Sequence, residues 1–452
     1  MANRGIDKSE LLFDNRYLVK LIIPLLIETL LNVTIGMMDT IMVSTDGEAV
    51  VSGVSLVDSL ANLFVFVFSA FATGGAVVCS QYLGRKDRDN ASASAKQLIY
   101  LSSGFALIIM VFLLVFRESV VRFVFGSIEE DVHVSSIRYL LPIAISFPFL
   151  AITNSCNAIC RSMGKSSITM TVALVMNLVN VTGNAITIYI FGLSSLGAGL
   201  ASLLSRVIAS IIMLKVITGR NQMIRVEHIA KVRIRPDMIK RIMRIALPSG
   251  IENGIFHIGK ILVASTIASF GTASIAANAV FNSLGTFANI PGTAIGMASV
   301  TVIGQCCGAG NTAQARYYAK KLLGLTYLLM GMTCLGMYVL TPLLAGFYNL
   351  SGAANVMAVD YTRLDLIQTM LFWPLAFTVP NFLRAAGDVK YTMIVSISSM
   401  WLFRVICAKV LGVFLGLGLL GVFWAMFIDW YARGACFMLR WWKGKWEEKK
   451  VI

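Results

Sequence analysis

The chain has 452 residues, of which 57% are hydrophobic and only 13% are charged, and its mean hydropathy is +0.77. A soluble surface needs about 25% charged residues, so most of the outer surface of this chain has to face lipid. The net charge of +15 does not point to nucleic acid, because the basic residues sit in short segments between apolar stretches, the pattern of a membrane protein.

Twelve apolar stretches long enough to cross about 30 Å of hydrocarbon follow in order: 17–43, 50–79, 97–116, 136–160, 168–191, 195–218, 242–269, 274–305, 320–345, 363–385, 392–415 and 417–440. The expected fold is an all-α polytopic membrane protein with twelve transmembrane helices in two six-helix lobes. Residues 1–16 are polar, and the first apolar stretch outruns a signal h-region, so no cleavable leader is expected. Alternate loops are basic: Arg85, Lys86, Arg88 and Lys96, then Arg161 and Lys165, then seven Lys/Arg against two acids in 219–241. The opposite loops are short or acidic, as at Asp46 and Glu48 or at Glu129, Glu130 and Asp131. Both termini are therefore expected in the cytoplasm of a cell-membrane protein.

The second half repeats the first. Adding 224 to the residue number aligns Pro24 and Glu28 with Pro248 and Glu252, Gly47 with Gly271, Gln81 with Gln305, and Gly84 with Gly308. An offset of 223 then aligns Arg161 and Gly164 with Arg384 and Gly387. Each half has an even number of spans, so the repeats run parallel about an axis along the membrane normal, and solute is expected where they face one another. The implied domains are an N-terminal tail 1–16, a lobe 17–218, a basic linker 219–241, a lobe 242–440 and a C-terminal tail 441–452.

Polar groups inside spans are costly and mark function or helix pairing. Glu28, Asn32 and Asp39 fall within about 40° of one another on the first helix at 100° per residue. Asn177, Asn180 and Asn184 share one face of the fifth span. Such oxygens suit Na⁺, or a proton on Asp39, and they equally suit interhelical hydrogen bonding. Glu28 and Glu252 each follow a proline by four residues, and either line the cavity or cap backbone groups freed by that proline. On the seventh span, Asn253, His257 and Lys260 form a further stripe. Lys260 would repel a cation, and either pairs with a carboxylate or favours anionic or zwitterionic solutes. Arg206, Arg404, Lys409, Asp429 and Arg433 are expected to snorkel or pair, and Gly292/Gly296 and Gly412/Gly416 to pack helices closely.

The sequence contains no His-Glu-x-x-His, Walker A loop or nucleophile elbow, so energy is expected from an ion gradient or from the substrate's own, and no enzyme or cofactor is implied. The eight cysteines lie in or beside apolar stretches and read as reduced packing residues.

Together, Pro24 and Asp39, Gln81–Gly84 with Gln305–Gly308, the Arg-x-x-Gly turns, Asn180 and Asn184, Phe191-Gly192 and Gly197-Ala198-Gly199 resemble the multidrug and toxic compound extrusion (MATE) family over about residues 15–440. The resemblance implies two lobes in a V, alternating access, and export of drugs or amphipathic organic cations against Na⁺ or H⁺ by a functional monomer. It also implies an ion-coupling site at Asp39, Asn180 and Asn184, with no other metal. The chain departs from the family pattern at Asn184, where many prokaryotic members carry a second aspartate. The seventh-span glutamate of many members falls near Phe256, and the tenth span offers only Asp365 and Gln368. A lipid-linked saccharide flippase of the same wider superfamily is the nearest alternative, and an ion channel the alternative from another class.

Overall fold

A computed structural model describes residues 11–126, 128–229, 231–348, 350 and 352–452. Among these residues the regular structure is entirely helical. Seven helices build the first half: α1 (Asn15–Val43), α2 (Glu48–Gly84), α3 (Arg88–Val115), α4 (Arg117–Phe125), α5 (Glu130–Ser162), α6 (Ser166–Asn184) and α7 (Ser194–Thr218). The second half contains α8 (Pro236–Ala268), α9 (Thr272–Ala288), α10 (Ile290–Gly308), α11 (Thr312–Gly346), α12 (Gly352–Trp373), α13 (Val379–Ala385), α14 (Val389–Ser399), α15 (Cys407–Lys409) and α16 (Gly418–Trp442).

All twelve expected spans are helices, and most run past their apolar windows into polar turns. Among the described residues ten helical segments are long and apolar enough to cross a bilayer. The spans at α8 and α16 lie outside that set because each carries several charges, including Lys240, Arg241, Arg244 and Lys260 on α8 and Asp429, Arg433 and Arg440 on α16. The eighth span is two rods, α9 and α10, that break at Asn289. Pro291 explains the break, since it lacks an N–H and its ring crowds the preceding turn. The short amphipathic α4 was not foreseen, because it falls in a segment that reads as a loop.

Widened π turns interrupt three spans. Ala185–Ile190 continues α6, Pro374–Thr378 joins α12 to α13, and Met400–Ile406 and Val410–Phe414 flank α15. Such turns rotate the side chains that follow them and are common at functional sites.

The chain divides into two compact units. One is Val19–Gly250; the other is Ile251–Ile452 with the described residues up to Leu18. In the first unit α5 is central, packing on α2, α3 and α7. Gly53 lies against Ser135 and Ser136, and Gly199 lies so close to Pro142 that a Cβ would fall 2.3 Å from its ring. The basic segment after α7 is strapped along α3: Gln97 donates to the Arg233 carbonyl at 2.7 Å and Lys96 to the Glu227 carbonyl at 3.1 Å. In the second unit α12 packs on α9 and α11, and α10 on α11 and α13. There Gly292 and Gly296 make the close approaches expected of them, against Trp373 and Asn381. Gly412 does likewise, against Phe270 and the Gly418 carbonyl, but Gly416 is a turn residue at φ 70° with nothing near its Cβ position.

The repeat has a backbone cause. Gly47 and Gly271 both have positive φ, 108° and 93°, where each second span begins, and Gly164 and Gly387 do so at 74° and 92° in the Arg-x-x-Gly turns. Side chains disfavour this region, so glycine recurs at the same step. Gly84 and Gly308, by contrast, end helices, and the left-handed residues are Lys86 and Gly310 two positions on. Helix starts repeat too. Asp87 accepts from the Asn90 N–H at 3.1 Å, and Asn311, 224 residues later, accepts from the Gln314 N–H at 3.0 Å. The bonds from the Asn90 side chain and backbone hold the Asp87 carboxyl below the usual carboxylate range.

All eight cysteines carry free thiols, and Cys79, Cys156, Cys160, Cys306 and Cys334 are buried.

Candidate functional site

In the first unit, α1, α6 and α7 bring one acid and two amides together. Asp39 accepts from Asn184 Nδ2 at 2.6 Å, and the same nitrogen lies 3.4 Å from Asn180 Oδ1. Asn180 Nδ2 in turn donates to Ser202 Oγ at 3.1 Å. Both asparagines are buried, and Asn184 Oδ1 has no hydrogen-bond partner. A buried amide oxygen without a donor is unusual and costly. Ala185–Ile190, the π turn, begins immediately after Asn184.

A second polar group adjoins this one. Tyr139 Oη donates to Asp58 Oδ1 at 3.0 Å, and Arg206 Nη1 donates to Ser146 Oγ at 2.6 Å. Asp58 feels the charges of Asp39 and Arg206. Arg206 is thus part of an internal polar network and does not snorkel outward.

The remaining residues expected on these stripes go elsewhere. Glu28 is buried against Arg161 through one carboxylate oxygen and accepts from Thr169 Oγ1 at 2.5 Å through the other. It neither caps the proline turn nor joins Asp39. Asn32 is exposed. Asn177 is buried but donates to the Ala173 carbonyl of its own helix at 2.9 Å.

The second unit reproduces the ion pair and not the amide cluster. Arg384 Nη2 lies 2.6 Å from Glu252 Oε1, so Glu252, like Glu28, is consumed by an arginine. At 224 residues beyond Asp39 and Asp58 stand Val263 and Asn282, neither of them acidic. Two adjoining cavities of about 110 and 210 Å³ occur here, both lined by Lys260, Phe281, Asn282, Arg404 and Met426. The larger also takes in Phe256, Asn289, Asp365, Trp373, Phe377 and Trp430. Lys260 is exposed to this space, whereas Asn253 and His257 are half-buried and line neither cavity. Asp365 is buried, with Thr369 Oγ1 3.3 Å from its Oδ2. Gln368 is occupied by Tyr431, whose hydroxyl donates to it at 2.5 Å. Asp429 is held by Arg433 and Ser399, the pairing expected of it. Arg404 reaches it only at 3.9 Å and lines the cavities, which the snorkelling expectation did not foresee. Among the described residues no three His, Cys, Asp or Glu gather as a metal site.

The MatE family profile matches this chain twice, over residues 24–186 and 248–410. The two matches cover well over half of the chain and start 224 residues apart, the offset of the internal repeat. The chain belongs to the MatE family. It is 27% identical to the uncharacterized transporter YisQ of Bacillus subtilis (strain 168) over 438 residues, 94% of each chain. It is 24% identical to the probable multidrug resistance protein NorM of Thermotoga maritima, over 99% of this chain and 96% of that one. Its fold is that of a MATE crystal structure in the bent conformation, with a TM-score of 0.87 and 18% identity over 95% of each chain. As a MatE-family member the chain is a multi-pass membrane transporter with twelve spans in two lobes.

Sequence reasoning missed Asp58, Tyr139 and Ser202 in the first lobe of this MatE chain, and Asn282 and Asn289 in the second. An acid at position 58, inside the span 50–79, was the available signal for the first group. Single asparagines on an otherwise apolar helix offered a weaker one.

Proposed function

We propose that this MatE-family transporter is a secondary exporter, moving amphipathic small molecules across the cell membrane by alternating access against inward Na⁺ or H⁺. The multidrug resistance names of its relatives support the direction and the kind of solute. The basic loops favour an orientation with both termini in the cytoplasm, and a monomer holds every group the reading uses.

One observation carries the coupling: Asp39 is engaged by an asparagine whose own oxygen lies buried and unsatisfied. While Asp39 is ionised, Asn184 offers it the amide N–H. A Na⁺ ion arriving at Asp39 is attracted by hard oxygens, and a proton turns the acid into a donor. In either case a half-turn of the amide presents Asn184 Oδ1 to the newcomer and removes the unmet acceptor. The ion thereby exchanges one hydrogen-bonded arrangement of α1 and α6 for another. That difference between two states is what a driving ion needs in order to shift a conformational equilibrium.

The test is efflux from proteoliposomes holding purified full-length protein, with Na⁺ and pH gradients imposed separately. Solute movement that follows one gradient supports the exporter. Ion flux without exchange for solute would replace it by a channel.

A further inference from the structure

The repeat places unlike chemistry on like scaffolds. Where the first lobe has Asp39 and Asp58, the second has Val263 and Asn282, and the cavities beside them carry Lys260 and Arg404. Among the described residues Lys260 has neither an ion pair nor a hydrogen bond. It lies close enough to Arg404 for the two charges to repel. Arg404 stands over the Phe256 ring at 5.6 Å and comes only to 3.9 Å from an Asp429 that already has Arg433 and Ser399. The larger cavity is therefore lined by two cations, Lys260 and Arg404, and one carboxylate, Asp365.

The buried hydrogen-bonding groups are also unfinished. Trp430 Nε1 is a buried donor with no acceptor, and Asp365 Oδ1 and Asn289 Oδ1 are buried acceptors with no donor. All three residues line the same 210 Å³ cavity, between the rings of Phe281, Trp373 and Phe377. A native interior satisfies nearly all such groups, so three at the wall of one cavity, each now turned from its open space, mark what a ligand would complete once those side chains swing to meet it. An organic cation would meet Lys260, which has no carboxylate paired to it, with Arg404 beside it, and the like-charge rule disfavours that.

Resting on the exporter reading above, we propose that the second-lobe cavity binds the head of an amphipathic aromatic carboxylate that also carries a hydrogen-bond donor. The carboxylate lies against Lys260, Arg404 and the Trp430 indole N–H; the donor group meets Asp365 Oδ1 and Asn289 Oδ1. The rings take the apolar body. A cavity of this size holds a small head group and not a whole drug-sized solute, whose pockets run to about 300–1,000 Å³.

The experiment is equilibrium binding to purified full-length protein, read by quenching of tryptophan fluorescence and by radioligand retention. The probes are 4-aminobenzoate, benzoate and tetraphenylphosphonium. 4-Aminobenzoate should bind most tightly and benzoate, lacking the donor, more weakly. Lys260→Gln should raise the Kd of both carboxylates about tenfold, as loss of one charge partner does. Lys260→Glu should raise it further while improving the cation. Asn289→Ala should weaken 4-aminobenzoate and leave benzoate unchanged, a result that general misfolding would not give. Tighter binding of tetraphenylphosphonium than of either carboxylate to the wild type, or an unchanged Kd in Lys260→Gln, overturns the proposal. Proteoliposomes separate the two readings. Lys260-dependent binding without gradient-driven movement of any probe sinks the exporter and leaves the site. Gradient-driven movement of tetraphenylphosphonium, with carboxylate binding indifferent to Lys260, sinks the site and leaves the exporter.

Discussion

Arg161 closes on Glu28 in the first lobe at the same two repeat positions where Arg384 closes on Glu252 in the second. The Pro-x-x-x-Glu and Arg-x-x-Gly elements that mark the repeat are thus each other's partners, which accounts for their being duplicated together. The copies differ in their further contacts: Arg384 also donates to Asn381 Oδ1 at 3.0 Å, where the first copy has Ala158. Glu28 also accepts from Thr169, whereas Glu252 Oε2 is buried without a partner and the matching Thr392 donates to the Val389 carbonyl of its own helix.

Breaking one member of a buried pair strands the other charge. Arg161→Gln or Arg384→Gln is expected to cost about 3–5 kcal/mol, whereas replacing both partners by methionine should recover most of that loss. Thermal unfolding of the detergent-solubilised protein measures it. Equal losses in single and double variants would show that the arginines act through contacts other than these glutamates.

Much of this was legible beforehand. Span count and repeat register came from features that lipid and backbone geometry enforce directly, namely long apolar windows, Pro24 and Pro248, and glycines at positive φ. Asp39 and Asn184 were legible because an acid and an amide on apolar helices have few reasons to be there. The stripe of Glu28, Asn32 and Asp39 misled, because a shared face of one helix does not mean a shared partner. Asp39 meets Asn184 at the end of α6, while Glu28 meets Arg161 at the end of α5 and Thr169 in the first turns of α6. Arg404 was unreadable for a related reason: it stands in a π turn, which alters the 100° step on which any face assignment depends.

Asp39→Asn keeps the shape of the side chain and its bond to Asn184 but removes the charge an ion would meet. Ion-driven efflux should vanish, with expression and thermal stability close to wild type. Efflux at wild-type rates in that variant would take Asp39 out of the mechanism. Asn184→Asp supplies a second carboxylate in the same cluster, and should strengthen Na⁺ dependence in the same assay.

Tyr139 tests the adjoining group. Its hydroxyl is the donor to Asp58, and the ring is buried in the first-lobe core. Tyr139→Phe leaves the packing and strands the carboxylate oxygen, at a cost of about 1–3 kcal/mol. Because Asp58 feels Asp39, the ion dependence of efflux should shift as well. A loss of stability with unchanged ion dependence would make the pair purely architectural.

Two glycines of the second lobe should fail for different reasons. At Gly271 a Cβ would meet nothing within 4 Å, but φ is 93°, so the cost of Gly271→Ala is backbone strain. With ψ at 173° this backbone is one that only glycine visits readily, so the strain amounts to about 1–3 kcal/mol and Gly271→Asn should cost about as much as alanine. At Gly292 the backbone is ordinary helix, yet a Cβ would lie 2.1 Å from the Trp373 ring. Gly292→Ala should therefore cost about 1–3 kcal/mol through overpacking, and Gly292→Asn should be worse than alanine. Thermal unfolding of the four variants separates the causes. A drop from alanine to asparagine at Gly271 as large as the one at Gly292 would show that one of the two assignments is wrong, since this strain does not depend on side-chain size and crowding grows with it.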